Sequence, residues 1–234
     1  MKKQPEVQVA PSLLSADFSR LAQQVKWLDA AGAKYLHIDV MDGSFVPNIT
    51  FGSCVIKALR KYTRALFDVH LMIIDPLKYI DVFSDCGADL VTVHLEAVSA
   101  NPGIVLDAIK KRGKKAGLSI KPKTPAENLY PYLPYIDLAL VMSVEPGFGG
   151  QKFMPEALPK IEKIGSRIRT NGFNCLLEVD GGIDETNAAQ AVSAGARLLV
   201  AGSSVFGKKD PKKAYLGLMK TANAVKKGAQ KRRV

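Results

Sequence analysis

The sequence places an imidazole and a carboxylate two residues apart, at His37 and Asp39, in a segment that has the pattern of a β-strand. Apolar β-forming residues alternate from Tyr35 to Met41, and Gly43 follows at the end of the run. Residues two apart on a strand project from the same face, so both polar side chains can point into one site. The pair is typical of half of a metal site, and equally of a buried histidine hydrogen-bonded to its neighbour.

Two further segments have the same character. Phe67–Met72 predicts a strand with His70 on one face, and Leu176–Asp180 predicts a strand that ends in Asp180. The chain has three histidines, and two of them have the same phase near strand ends, which favours the metal interpretation. Such a mixed nitrogen and oxygen donor set suits one Zn, Fe(II), Mn or Co ion better than Ca. The predicted ligands are His37, Asp39, His70 and Asp180.

Three glycine-containing segments indicate a place for an anion. Glycine lets a backbone N–H approach a negatively charged group closely, and a helix beginning at Ser203 would direct further N–H groups to the same point. Each glycine could instead serve only a tight turn, but three neighbouring segments favour a phosphate site. They are Glu145–Gln151, Asp180–Ile183 and Ala201–Ser204.

A metal and a phosphate site together suggest a phosphorylated sugar whose carbonyl group is polarised. Asp39 and Asp180 belong to different predicted strands, so they could approach a flat intermediate from opposite faces. One carboxylate would remove a proton and the other would return it on the far side, which is epimerisation. The metal would stabilise the negative charge that develops. Three methionines would line the pocket or belong to the barrel core: Met41, Met72 and Met142.

The elements that must position these residues alternate regularly along the chain. Eight short apolar strands are predicted at Val7–Ala10, Tyr35–Met41, Ala65–Met72, Asp89–Leu95, Ala116–Lys121, Asp137–Val144, Cys175–Asp180 and Arg197–Ala201. Each is followed by a predicted helix, at 15–31, Cys54–Tyr62, Pro76–Cys86, Ile104–Arg112, near Glu127, Pro155–Asn171, Asn187–Ala194 and Pro211–Lys226.

This alternation predicts an α/β fold, a single-domain (β/α)8 TIM barrel over residues 1–225, with a basic tail at residues 226–234. In such barrels the active site lies at the carboxyl ends of the strands, and phosphate commonly binds after the last two strands. A doubly wound open sheet is the alternative. It would not explain why chemically active residues follow so many different strands.

Composition limits the class of protein. The chain of 234 residues contains no run of eighteen apolar residues, and no apolar segment follows Met1 as in a signal peptide. Three cysteines, Cys54, Cys86 and Cys175, form no CxxC pair and are interpreted as reduced core thiols. We therefore expect a cytoplasmic protein that does not span or bind a membrane.

The net charge of +11 is high and partly local. Basic residues cluster between Lys110 and Lys115 and again in the last nine positions. A solvated helix end and a frayed terminus account for both clusters. Nucleic-acid binding is the alternative, but no aromatic residues interleave with the charges and no known module is present, so no nucleic-acid partner is expected. An anionic substrate would suit a basic protein.

Long motifs from the first strand to the eighth closely resemble those of the ribulose-phosphate 3-epimerase family. They are Ala10–Phe18, His37–Asn48, Asp68–Met72, Val141–Gln151, Glu178–Ile183 and Val200–Ser204. The family interconverts ribulose 5-phosphate and xylulose 5-phosphate in the pentose phosphate pathway. Its members are dimers or hexamers, so the resemblance implies a homo-oligomer. Lys121 replaces the asparagine that many members have, and the basic tail lies outside the family pattern.

The resemblance also implies roles for individual residues. Asp39 and Asp180 would be the acid/base pair, and the four predicted ligands would hold one divalent metal. Ser12 and His70 would contact the sugar. The phosphate end would be held by Gly147, Phe148, Gly149, Gly150, Gly181, Gly182, Gly202 and Ser203.

Two related activities are alternatives to this interpretation. A sister barrel acting on a six-carbon ketose such as allulose 6-phosphate would use identical chemistry in a longer pocket. A decarboxylase or aldolase of the orotidine-phosphate decarboxylase type would carry Asp-x-Lys on an early strand. The second strand here contains His37 and Asp39 without a lysine, which argues against that type. The loop from Gly43 to Gly52 has the position of a lid.

Overall fold

A computed structural model describes residues 6–99 and 101–231, with the side chains of the last helix described up to residue 224. Eight strands follow one another through these residues, within two positions of the predicted boundaries. They are β1 Gln8–Pro11, β2 Tyr35–Met41, β3 Leu66–Met72, β4 Leu90–His94, β5 Lys115–Ile120, β6 Leu138–Met142, β7 Leu176–Asp180 and β8 Leu198–Ala201.

The strands form one parallel sheet that closes on itself. From β2 to β8 each strand pairs with the next in sequence, and β8 pairs with β1. Between β1 and β2, a parallel bridge joins Ser12 to His37 just beyond the end of β1. Closure leaves little free strand edge. The predicted (β/α)8 barrel is confirmed, and an open doubly wound sheet is excluded.

Helices pack around the barrel in the order predicted. Most begin or end within a few residues of the expected positions, and several open or close with a turn of 3-10 helix. Within the described residues, none of them is long and apolar enough to cross a lipid bilayer. They are α1 Leu21–Ala30, α2 Ser53–Leu59, α3 Ile80–Asp85, α4 Pro102–Lys111, α5 Ala157–Asn171, α6 Ala188–Ala194, α7 Ser203–Phe206 and α8 Pro211–Lys231.

The connection between β5 and β6 differs from the others. A 3-10 helix at Ala126–Leu129 occupies the place of the helix expected near Glu127. Four prolines between residues 121 and 135 remove backbone N–H donors that an α-helix would need. Lys160 of α5 stabilises the segment instead, since its Nζ donates to the carbonyl oxygens of Lys121, Pro122 and Thr124 at 3.0, 2.7 and 2.6 Å.

The last helix covers β1. Tyr215, Leu218 and Ala222 of α8 are buried, and Asn223 Nδ2 donates to the carbonyl oxygen of Val7 at 3.2 Å. The backbone of α8 continues to Lys231, past the predicted end at Lys226. The side chains of the predicted basic tail, residues 226–234, lie outside the described part of the chain. The division into a barrel at 1–225 and a tail therefore stays a prediction.

Strand alternation sorts the side chains into two layers. Leu36, Ile38 and Val40 of β2 point outward into the main core, between the sheet and the helices. The inward layer is divided. A small apolar cluster fills one side, mostly from β6 and β8, and includes Leu140 and Val200. Buried polar side chains from β2, β3, β4 and β7 fill the other side.

The cysteines occupy different environments. Cys86 is buried, Cys175 is partly buried and Cys54 is exposed, and all three are free thiols. The prediction that all three belong to the core is wrong for Cys54. Helix α2 turns Ile56 and Leu59 toward the barrel, which leaves Cys54 on the outer surface.

Candidate active site

The four side chains predicted to bind a metal lie together at the carboxyl end of the barrel. One ligand atom from each of His37, Asp39, His70 and Asp180 falls within 4.8 Å of the others. His37 Nε2 and His70 Nδ1 lie 3.1 and 3.2 Å from the same oxygen, Oδ1 of Asp39. The first three residues are buried, and Asp180 is partly exposed. The β2–β3 register places Asp39 opposite His70, which explains the meeting of these two.

The cluster fits a metal ion in its donor atoms and in the contacts behind them. Two imidazoles and two carboxylates form a donor set that borderline divalent metals favour. A metal-binding histidine needs an acceptor at its second ring nitrogen, which fixes the ring and its tautomer. Asp68 Oδ2 supplies that acceptor to His37, 2.6 Å from Nδ1. The group could therefore hold a divalent cation, and the donor set alone does not identify the element.

The acidic side chains of the cluster differ in proton affinity. Burial alone would raise the pKa of Asp39, but His37 and His70 outweigh burial and hold this pKa well below its usual range. Burial and the negative charge of Asp39 together raise the pKa of Asp180 to about 6. Burial would lower the pKa of His37, but the carboxylates of Asp39 and Asp68 outweigh it and raise this pKa well above 6.5.

Ser12 completes the surroundings of Asp39. Its Oγ donates to Asp39 Oδ2 at 2.6 Å, while Asp39 Oδ1 faces the two imidazoles. The residue follows β1, where the bridge to His37 holds the two strand ends together. Both oxygens of Asp39 are thus fixed, so the carboxylate has one orientation.

Nearly all of the predicted substrate-binding residues line one pocket beside this cluster. Asp39 and Asp180 form part of its wall. His70 is the exception, because it is fully buried and its contacts are Asp39 and His94. The predicted residues that line the pocket are Ser12, Gly147, Phe148, Gly149, Gly150, Asp180, Gly181, Gly182, Gly202 and Ser203.

The glycines are required by backbone geometry at this pocket. Gly182 has φ +66°, and a Cβ atom there would lie 2.2 Å from the backbone nitrogen of Phe153. No side chain fits, so the loop after β7 passes directly against residues 152–153. Helix α7 begins at Ser203 as predicted, next to the same loops.

The three methionines line the pocket and are also buried. Met41, Met72 and Met142 are 4%, 1% and 2% exposed. Met41 and Met72 pack with Val46 in a small cluster of their own. Both interpretations of the sequence therefore hold, since these side chains form the apolar wall where the barrel core meets the pocket.

Sequence reasoning assigned no role to two acids beneath the cluster. Asp68 and Glu178 are fully buried and both face Nδ1 of His37, with Asp68 Oδ2 at 2.6 Å and Glu178 Oε1 at 3.6 Å. Burial and the charge of Asp68 raise the pKa of Glu178 well above its usual value. The two-residue period of a strand could have identified both acids. Asp68 precedes His70 by two positions and Glu178 precedes Asp180 by two, so each shares a face with a predicted ligand.

A second pair, which the sequence places at the end of the fourth strand without a role, extends the cluster across β4. His94 Nε2 lies 2.8 Å from His70 Nε2, and His94 Nδ1 lies 3.2 Å from Glu96 Oε2. Burial lowers the pKa of His94 to about 4. Burial would raise the pKa of Glu96, but hydrogen bonds from His94, Thr124 and Lys121 outweigh it and lower this pKa to about 2. A neutral imidazole therefore lies between a candidate metal ligand and an ionised carboxylate.

The loop from Gly43 to Gly52 covers this side of the barrel. Asp42 Oδ1 accepts from the backbone N–H of Ser44 and Phe45, and Asn48 Nδ2 donates to the carbonyl oxygen of Gly147 at 2.9 Å. The Phe45 ring lies 4.9 Å from the His94 ring, and Lys121 Nζ lies 3.9 Å from the Phe45 ring. Lys121 thus contacts the covering loop through a cation–π interaction.

Comparison with known proteins places the chain in a family. Residues 8–206 match the family model described as the ribulose-phosphate 3 epimerase family. The chain is 48% identical over 212 residues to ribulose-phosphate 3-epimerase from Synechocystis sp., covering 90% of this chain and 92% of that protein. It is 46% identical over 211 residues to the Bacillus subtilis enzyme of the same name, covering 89% and 96%. The chloroplastic enzyme from Arabidopsis thaliana is 45% identical over 214 residues, covering 91% and 76%.

Solved structures with lower identity share the fold. KGPDC from Streptococcus mutans superposes with a TM-score of 0.70 at 15% identity, covering 94% of this chain and 99% of that one. A 3-hexulose-6-phosphate synthase from Salmonella typhimurium gives 0.67 at 17% identity, covering 93% and 99%. At this identity the likeness concerns the barrel alone.

Proposed function

The chain belongs to the ribulose-phosphate 3-epimerase family, as its motifs predicted, and we propose that it interconverts D-ribulose 5-phosphate and D-xylulose 5-phosphate by a metal-assisted two-base mechanism. The observation that carries the mechanism is the placement of Asp39 and Asp180 in the wall of one pocket, within a cluster that could hold a divalent cation. They come from β2 and β7, which lie on different sides of the barrel.

Asp39 and Asp180 are the proposed acid/base pair. Epimerisation at C3 needs one carboxylate that accepts the proton and a second group that delivers a proton to the opposite face. Asp39 is held ionised by the imidazoles, whereas the pKa of Asp180 is raised to about 6. Environments that separate two pKa values in this way are typical of acid/base pairs. Either residue can begin the reaction, depending on its direction.

The metal ligands are proposed to be His37, Asp39, His70 and Asp180. When bound, a divalent cation there supplies positive charge beside the substrate oxygens on which negative charge develops. The mixed donor set supports Zn, Fe(II), Mn or Co as the ion. Ser12 holds Asp39 in place, and Asp68 holds His37, so the ligands are oriented before the substrate arrives.

The substrate is proposed to lie with its phosphate against the glycine loops and its sugar against Ser12. Backbone N–H groups can approach an anion closely where no side chain intervenes, and phosphate commonly binds after the last two strands in this fold. The sugar contact predicted for His70 is not part of this proposal, because His70 is fully buried and does not line the pocket. The phosphate end is assigned to Gly147, Phe148, Gly149, Gly150, Gly181, Gly182, Gly202 and Ser203.

Further parts of the proposal concern the setting of the enzyme. We place it in the cytoplasm, in the pentose phosphate pathway, with a sugar phosphate and neither nucleic acid nor membrane as partner. We also propose a homo-oligomer, a dimer or hexamer. Ile49 and Ile74 are 78% and 54% exposed, and both flank Asp42, which bridges to Ile49 and accepts from the N–H of Ile74. Adjacent exposed apolar side chains of this kind support a contact between subunits.

The proposal is tested with Asp39→Asn and Asp180→Asn, assayed for formation of xylulose 5-phosphate. Loss of a positioned acid or base is expected to lower turnover roughly 100-fold or more. Asp184→Asn is the control, because Asp184 accepts from Thr186 and does not line the pocket. If either pocket variant keeps turnover within a few-fold of wild type, the two-base mechanism is wrong.

The substrate is tested by offering allulose 6-phosphate to the wild-type protein in the same assay. The proposed function predicts higher kcat/KM for the five-carbon ketose. A preference for the six-carbon ketose would assign the chain to the sister activity, with the same chemistry.

A further inference from the structure

We propose that a groove rich in lysine, beside the phosphate end of the pocket, attracts the doubly charged substrate and increases the rate of its capture. This inference rests on the proposed function and concerns side chains that the two-base mechanism does not use. The groove is called the lysine groove. Its basic side chains are Lys152, Lys208, Lys209, Lys212, Lys213 and Lys220.

The pocket itself has no positively charged side chain in its wall. Of the described residues that line it, none is a lysine or an arginine, whereas Asp39 and Asp180 are acids. A divalent cation held by these two acids would be offset by their negative charge. A phosphate monoester carries about −1.5 to −2 charges at pH 7. Long-range attraction toward the glycine loops must therefore come from charges beyond this wall.

The lysine groove is continuous with the phosphate end of the pocket. Its volume is about 1890 Å³, which exceeds the roughly 300–1,000 Å³ of sites that enclose a small ligand. It is therefore an approach to the pocket and not a second enclosed site. The residues that line both the groove and the pocket are Gly150, Gln151, Gly182, Ile183 and Ser203.

The positive charge of the groove is only partly compensated. Six lysines, all of them exposed, line it together with three acids, Asp184, Glu185 and Asp210. The side chain of Asp184 accepts from Thr186, and that of Asp210 accepts from a backbone N–H at 3.0 Å. Within residues 6–99 and 101–224, the lysines that form ion pairs lie outside the groove, at positions 34, 78 and 163.

Two of the lysines occupy positions that do not favour their own helix. Helix α8 begins at Pro211, so Lys212 and Lys213 lie in its first turn, which contains no acid. The first turn of a helix carries partial positive charge, and cations there oppose the helix dipole. Helix stability therefore does not explain these two lysines. The positive field that they add to the groove does.

An effect of this kind depends on salt. A positively charged surface beside a site increases the local concentration and the association rate of an anionic ligand by roughly 10- to 1,000-fold. The attraction extends over about 30 Å at an ionic strength of 0.01 M but only about 3 Å at 1 M. The kcat/KM of the wild-type protein is therefore expected to fall as the salt concentration is raised.

The test is a variant that combines Lys208→Gln, Lys209→Gln, Lys212→Gln and Lys213→Gln, assayed for turnover of ribulose 5-phosphate. At an ionic strength of about 0.01 M its kcat/KM is expected to be about tenfold or more below that of wild type. The loss is expected in KM, with kcat within about twofold, because a field outside the pocket acts on capture and not on the chemical step. At about 1 M salt the two proteins are expected to agree within about twofold.

Two matched variants separate the local field from other effects. Arginine at the same four positions keeps the charge and is expected to match wild type. Glutamine at Lys110, Lys111, Lys114 and Lys115 also removes four positive charges, but at the opposite end of the barrel, where β5 begins. This variant is expected to match wild type as well. The proposal is overturned if the groove variant keeps the wild-type salt dependence, or if either matched variant loses as much kcat/KM as the groove variant.

A second measurement uses inorganic phosphate and no substrate. In metal-free protein labelled with ¹⁵N, the backbone amide signals of Gly182, Gly202 and Ser203 report phosphate binding at the glycine loops. With ionic strength held at about 0.1 M, the groove variant is expected to bind phosphate roughly 3- to 10-fold more weakly than wild type. Equal affinities would overturn the inference. A wild-type protein that forms no xylulose 5-phosphate at any salt concentration would overturn the proposed function alone.

Discussion

At the scale of single residues, Asp180 links the chemistry to pH. Its pKa of about 6 in the metal-free protein lies above the ordinary 3.8, because burial and Asp39 disfavour the charged form. His37 has a raised pKa as well. A cation can bind only where these protons have left, so binding and proton release are coupled.

We expect the affinity for Co²⁺ to fall as the pH is lowered from 7.5 to 5. Below the pKa of a ligand side chain, the metal must displace a proton from that side chain. Each such proton lowers the affinity by up to about tenfold per pH unit. The measurement is a competition titration against a metal-sensitive dye at several pH values. In Asp180→Asn the dependence between pH 5 and 6 should become shallower. An affinity that does not change with pH in wild type would contradict the pKa assigned to Asp180.

The residues that could be predicted are those whose spacing repeats along one strand. His37 and Asp39 share a face because strands have a period of two, and Asp180 ends its strand before two glycines. The partners that orient them were not predicted. Asp68 meets His37 because of the β2–β3 register, and His94 meets His70 across β3 and β4. The register between two strands cannot be read from the residue pattern of either strand alone.

At the scale of elements, the strands were predicted within two residues because buried parallel strands are continuous apolar runs. The short helix expected near Glu127 is present at Ala126–Leu129, where the surrounding prolines limit it to a 3-10 turn. The positions of the glycine loops were predicted from the sequence, but the close backbone contact that requires glycine was not. Their role at the pocket depends on how closely two loops approach, which for Gly182 is decided by residues 152–153.

We expect Gly182→Ala to destabilise the protein and to weaken substrate binding. The new Cβ would lie 2.2 Å from the nitrogen of Phe153, so the loop that begins at Gly150 must move. Gly172→Ala is a matched control, because Gly172 has the same φ of +66° with nothing within 4 Å of a Cβ. The control should cost about 1–2 kcal/mol from the backbone alone. The measurements are urea denaturation and KM. If both variants lose the same stability and Gly182→Ala leaves KM unchanged, the close approach of Gly182 to Phe153 is not important.

At the scale of the whole molecule, charge and fold have separate roles. Five of the last nine residues are basic, whereas Tyr215, Leu218 and Ala222 of α8 are buried and Asn223 bonds to Val7. The proposed catalytic cluster lies inside the barrel. The function is therefore expected to depend on the closed sheet rather than on the basic terminus.

Removing residues 226–234 is expected to leave turnover of ribulose 5-phosphate within about twofold of the full chain, because chain ends commonly tolerate truncation. The same truncated protein should be compared with the full chain in a DNA-binding titration at two salt concentrations. Loss of turnover on truncation would show that the tail is needed for function, as the nucleic-acid hypothesis predicts. The matched control is neutralisation of Lys110 and Lys111 in α4, the other basic cluster.

The most direct test of the central claim is exchange of the C3 proton of ribulose 5-phosphate in D2O, followed by NMR with and without a chelator. The metal-assisted two-base mechanism predicts that xylulose 5-phosphate forms with deuterium at C3, and that both formation and exchange stop when the metal is removed. Exchange that continues at full rate after chelation would contradict the role of the metal. Exchange without any xylulose 5-phosphate would show that only one carboxylate acts, which would contradict the mechanism itself.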